Sequence, residues 1–139
     1  MVGFQSTSCR VIASRSQGDD AYVLLNTGSD EQPYLYGVNC RREDGRWFEG
    51  GSGNASGWQP AGEDPHLGIL SFWDDAPADA EMVRVEFEGH TVEERVADRA
   101  FLVVWWRVPA PSMQNWPRVR AFRIAGRWID SAGVHAWPY

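Results

Sequence analysis

Residues 50–57 read GGSGNASG, four glycines in eight residues directly after Trp47-Phe48. A glycine loop can hold a phosphate when its backbone amides, and the N-terminus of a helix behind it, point at the anion. Here the glycines fall as Gly51-x-Gly53-x-x-x-Gly57, one residue longer than the dinucleotide fingerprint. The continuation WQPAGEDPH contains two prolines and no helical pattern, so nothing would supply the helix dipole. Nor is GGSGN a nucleophile elbow, because Asn54 stands where the final glycine should be. The segment Asn54-Ala55-Ser56 has the form of a glycosylation acceptor, which carries meaning only in a secreted protein.

Other reactive side chains are sparse. All thirteen basic residues are arginine, so a Schiff-base lysine, a lysine general base and a P-loop lysine are absent from this chain. His66, His90 and His135 fall in different segments, none at metal-ligand spacing from another donor. Cys9 and Cys40 stand 31 positions apart and match no metal or redox motif; they read as small buried hydrophobes, with a disulfide as the other reading. The acidic pairs Asp19-Asp20, Asp74-Asp75 and Glu93-Glu94 are adjacent, and adjacent residues on a strand face opposite sides. The expectation is a protein that is not an enzyme and has no cofactor and no metal.

Tryptophan is the unusual component, with eight residues in 139. About half should be core, because an aromatic ring buries some 150–250 Å². Trp58, Trp116 and Trp137 fall in Gly- or Pro-rich segments. There they either fold back as lids over the core or stay out to stack on a sugar or anchor a protein. Arg42 and Trp47 flank Asp44-Gly45, a strong hairpin signal. A tight two-residue turn sets Arg42 opposite Trp47, and a turn with a glycine bulge sets Arg41 there; both put a guanidinium near the indole. The segment RIAGRWI (123–129) echoes REDGRWF (42–48). Because alanine disfavours positive φ, the bulged register is expected for this second hairpin, with Phe122 facing Trp128.

The elements that must position these residues are strands. Apolar or alternating runs at 9–15, 20–27, 34–40, 66–73, 82–88, 91–97, 100–108, 118–124 and 127–130 are separated by Gly, Pro and Asp turns. In VRVEFE, Val83, Val85 and Phe87 face one way and Arg84, Glu86 and Glu88 the other. FLVVWW does not alternate and predicts a central strand covered on both faces. Glu94 alternates with Val92 and Val96, which turns it inward opposite an arginine or places its strand at an edge. No segment predicts more than a short helical turn. Segments 50–65 and 109–117 read as long loops. The expected fold is all-β: one domain spanning 1–139, an antiparallel β-sandwich of about eight or nine strands, with an immunoglobulin-like arrangement as one form of it.

Charge and hydropathy narrow the partners. A net charge of −6 opposes nucleic-acid binding, and Arg41, Arg42 and Arg46 are interleaved with Glu43, Asp44 and Glu49. No apolar run approaches the ~20 residues that span a bilayer. MVGFQSTSCRVIASRSQGDD lacks a basic stretch followed by an apolar one, so the expected location is the cytoplasm.

The set Arg42-x-Asp44-Gly45-Arg46-Trp47, Ser52-Gly53-Asn54-x-x-Gly57-Trp58, Phe101-Leu102-Val103-Val104-Trp105 and Gly126-Arg127 resembles small β-proteins of GC-rich bacteria. The likeness spans most of 22–129 and rests on turn and core residues; it implies no activity. The function expected is a non-catalytic binding or protein-interaction module, with a protein partner or a second copy as ligand. Its rival is a carbohydrate-binding module using Trp58 and Trp116, and an enzyme of unknown class is the third reading. The candidate contacts are Trp58, Trp116, Asn54, Arg42 and Trp47.

Overall fold

A computed structural model describes residues 9–29 and 31–133; His135 and Trp137 lie outside them. The fold is all-β, with eleven strands in three antiparallel sheets. Among the described residues there is no α-helix, and no sheet closes on itself. Among the described residues no helix is long and apolar enough to cross a membrane. The chain divides into two compact units between Ser56 and Gly57.

The first unit is a four-stranded meander of β1 (Arg10–Gln17), β2 (Asp20–Asn26), β3 (Leu35–Glu43) and β4 (Arg46–Gly53), in that spatial order. Gly18 opens the first hairpin at φ +60°, the left-handed geometry that a II′ turn asks of its first residue. Asp44 and Gly45, at φ +54° and +77°, form a two-residue I′ turn between β3 and β4. Strand β2 alternates as its sequence demands: Tyr22, Leu24 and Asn26 are buried, while Ala21, Val23 and Leu25 are half-buried on the other face.

The second unit holds a three-stranded sheet, β5 (Gly57–Pro60), β6 (Gly68–Asp75) and β9 (Ala100–Val108), ordered β5-β6-β9. A four-stranded sheet, ordered β11-β10-β7-β8, combines β7 (Ala80–Phe87), β8 (His90–Arg95), β10 (Arg118–Ile124) and β11 (Arg127–Asp130). The two sheets face each other as a sandwich. Val83 and Val85 of β7 and Phe122 of β10 meet Phe101 and Val103 of β9 in one buried cluster. Aromatic rings knit it together: Phe101 stands 5.6 Å from Phe72 and 6.4 Å from Phe122, and Phe87 4.8 Å from Trp105. The VRVEFE alternation is realised, with Val83, Val85 and Phe87 buried. Strand β8, which carries Glu94, lies at the edge of its sheet.

Several sequence expectations need correction. The glycine-rich segment 50–65 is not one long loop, since β4 runs through Gly53 and β5 begins at Gly57. Glycine lowers strand propensity, but the ladder partners Gly37↔Gly53 and Asn39↔Gly51 supply the backbone bonds regardless. Trp58 accordingly sits on a strand. The strand through FLVVWW is buried from Ala100 to Val103, yet it ends its sheet rather than occupying the centre. Non-alternating hydrophobicity reports covered faces and says nothing about ladder neighbours.

The second hairpin also differs from expectation. It takes the tight register, Arg123↔Trp128, with Ala125 held at φ +53° and Gly126 at +78°. A left-handed alanine costs about 1–2 kcal/mol. The cost is met because β10 is paired on both sides, with β11 and with β7. The guanidinium over Trp128 is that of Arg84, reaching across β10 from β7, at 4.1 Å.

Candidate functional site

The tip of the β3–β4 hairpin carries two solvent-facing aromatic rings. Trp47 is 47% exposed and Phe48 49% exposed. The tight turn pairs Glu43 with Arg46, Arg42 with Trp47 and Arg41 with Phe48, so the two rings emerge on opposite faces. Each carries an arginine: Arg42 lies 5.3 Å from the Trp47 ring centre, and Arg46 5.9 Å from that of Phe48. Arg42 is also held through Nε, 3.2 Å from Asp19 Oδ1, while its backbone N–H donates to the Asp19 carbonyl at 2.7 Å. Such surface pairs contribute only about 0–1 kcal/mol each. Their effect here is to fix the indole's orientation.

Beside Trp47 the outer face of the meander sinks into a recess of about 270 Å³. Its lining is a consequence of register: Ser16, Ala21 and Cys40 are successive cross-strand partners, as are Ser14 and Val23. Small residues on β1 and β2 lower the floor, and Trp47 forms the wall. Further along the same sheet, Val11 is 64% exposed and pairs with Leu25. By strand alternation Val11 and Leu25 lie on the same sheet face as the recess.

Cys9 and Cys40 are both free. Burial, and behind it the Glu49 carboxylate, push the Cys40 thiol up from its ordinary value, so it stays protonated at neutral pH and acts as apolar lining. In a Cys9→Ser background, Cys40 is expected to react sluggishly with an aromatic disulfide reagent at neutral pH. Removing the charge with Glu49→Gln lowers the thiol's pKa and should speed the reaction on the order of twofold. A pH series of reaction rates checks this, and an unchanged rate in Glu49→Gln would remove Glu49 from the recess's field.

The sequence-predicted contacts are not all assembled together. Arg42 and Trp47 meet as expected. Asn54 lies beyond the opposite end of β4, where its Nδ2 donates to the Tyr34 hydroxyl at 2.8 Å. Trp58 belongs to the second unit and is half-buried, its indole N–H donating to the Val108 carbonyl at 2.9 Å. Trp116, also in the second unit, follows the 3-10 turn Met113–Asn115 and is half-buried. Cys40, Val23 and Ala21 were missed as site residues. The signal for Ala21 and Val23 is AYVLL (21–25), apolar on both faces of one strand, and it does not extend to Cys40.

Burial pushes the Asp74 and Asp75 carboxyls up, and the Arg99 charge pulls Asp75 partly back. They are consecutive strand residues and point apart. His66 and His90 are exposed, in or beside turns. Among the described residues no three His, Cys, Asp or Glu side chains come together to ligate a metal. Compared with protein-family models, curated proteins and solved structures, the chain matches none.

Proposed function

We propose that this protein is a non-catalytic interaction module that engages a protein partner through the outer face of its β1–β4 sheet. One observation carries the reading: exposed Trp47 borders a recess lined by Ala21, Val23 and Cys40 together with Ser14, Arg15 and Ser16, on a sheet face that also carries exposed Val11. Aromatic anchors beside arginines, next to a pocket of small side chains, are the features that concentrate binding energy at protein interfaces. Exposed apolar side chains sharing one sheet face mark a contact site.

The second unit supports the same reading by analogy of fold. Lettering β5 to β11 in chain order as A, B, C, C′, E, F and G gives A-B-E facing G-F-C-C′. This order supports an immunoglobulin-like reading of the unit, an architecture common among recognition domains. Fold alone assigns no partner.

Photo-crosslinking in cells tests the proposal. A benzophenone side chain at position 47 or 11 is expected to give discrete adducts, whose mass separates a second copy from another protein. The same probe at exposed Asp79 should give none. Trp47→Ala is expected to weaken the captured complex roughly tenfold or more. Absence of adducts at 47 and 11, or identical adducts from position 79, would overturn the reading.

A further inference from the structure

The second unit has a cleft of different character, unconnected with the argument for the first. It lies between the Glu88-Gly89 turn joining β7 to β8 and the segment that leads into β10. Trp116 lines it, together with the amide side chains of Gln114 and Asn115. The charged lining is Glu86, Glu88, Arg118 and Arg120. We propose that this cleft binds a neutral pyranose ring, stacked on the Trp116 indole.

The ligand class follows from the lining. Two carboxylates and two guanidiniums cancel, so the cleft offers no net attraction to a phosphate or a carboxylate. Arg120 bonds Glu86 directly, and Arg118 Nη2 donates to the Gln114 carbonyl at 3.3 Å. These contacts hold the side chains of Arg120, Glu86 and Arg118 in place without using all their hydrogen-bonding capacity. A guanidinium has five N–H donors, a carboxylate about four lone-pair sites, and each amide both kinds. What remains is a ring of mixed donors and acceptors around one half-buried indole.

An apolar peptide side chain would strand those polar groups without water, at about 1–3 kcal/mol each. A sugar suits them, because its hydroxyls donate and accept at every edge while its C–H face lies on the aromatic ring. The size agrees. A volume of about 180 Å³ falls below the about 300–1,000 Å³ of pockets for drug-sized ligands and suits a single ring.

The test is a titration of the full chain, isotope-labelled and followed by amide NMR, with glucose, galactose, mannose, xylose and N-acetylglucosamine and their short β-linked oligomers. At least one sugar is expected to shift amides confined to 86–89 and 114–120, with saturation. Trp116→Ala should weaken that binding roughly tenfold or more, and Arg118→Ala severalfold, with Arg95→Ala unchanged. Should Trp116→Ala fail to fold, Trp116→Phe and Arg118→Ala carry the comparison. Shifts spread elsewhere, binding that survives both Trp116 and Arg118 substitutions, or a response only to acetate or phosphate each overturn the proposal. So does silence across the panel.

Discussion

Phe101→Ala is expected to remove about 3–5 kcal/mol from the stability of the second unit. Phe101 is fully buried in β9 and touches rings from both sheets, Phe72 of β6 and Phe122 of β10. Truncation thus loses the transfer energy of the ring and the contacts of two aromatic pairs, each contributing about 0.5–1.5 kcal/mol beyond area. It also leaves a cavity that two hydrogen-bonded sheets cannot readily collapse to fill. Guanidinium unfolding followed by tryptophan fluorescence reads the loss, because Trp105 packs on Phe87 beside the same core. Phe101→Leu keeps most of the volume and should cost markedly less than the alanine, on the order of 1–2 kcal/mol. Phe48→Ala, on an exposed ring, should stay within about 0.5 kcal/mol of the parent. A loss under about 1 kcal/mol for Phe101→Ala would mean that the sheets are not held together through this contact.

How much of this was legible depended on whether one strand's pattern sufficed. The inward set Val83, Val85 and Phe87 follows from periodicity alone, and the buried Phe101 from an unbroken apolar run. The I′ turn at Asp44-Gly45 follows from two residues with known backbone preferences, and it delivers the Arg42–Trp47 pair. Strands β4 and β5 were obscured because Gly50, Gly51, Gly53 and Gly57 carry no side-chain pattern to read, while their partners on β3 and β6 fix them. The Ala125 turn was misread because local propensity opposed it and pairing on both flanks of β10 prevailed. The recess beside Trp47 was out of reach for another reason. Its lining comes from all four strands, and only the register puts Cys40 beside Ala21 and Ser16. The Trp116 cleft likewise joins a hairpin turn to a loop some 25 positions away, roughly counted along the chain.

In the first unit the largest expected effect comes from a polar residue. Asn26, at the end of β2, is 1% exposed. Its Oδ1 accepts two backbone N–H groups, from Gly28 at 2.9 Å and from Tyr34 at 3.1 Å. These bonds pin both ends of the connection from β2 to β3, which the Thr27 N–H also closes by donating to the Tyr34 carbonyl at 2.8 Å. Gly28 shows how tight the closure is, since a Cβ there would lie 2.2 Å from the Gln32 carbonyl oxygen. Asn26→Ala leaves both donors without their acceptor and opens a cavity, for an expected loss of about 2–4 kcal/mol. Asn26→Leu separates the two causes. Leucine fills the space but accepts nothing, so the loss should persist if the hydrogen bonds dominate and largely vanish if volume does. Asn26→Asp retains an acceptor oxygen and should lose less than leucine at neutral pH. Hydrogen exchange at the Gly28 and Tyr34 amides reports the local effect, with protection expected to fall in the Ala and Leu variants. Leucine matching the parent in stability and in protection would show that the connection is closed by packing, with the Asn26 carbonyl dispensable.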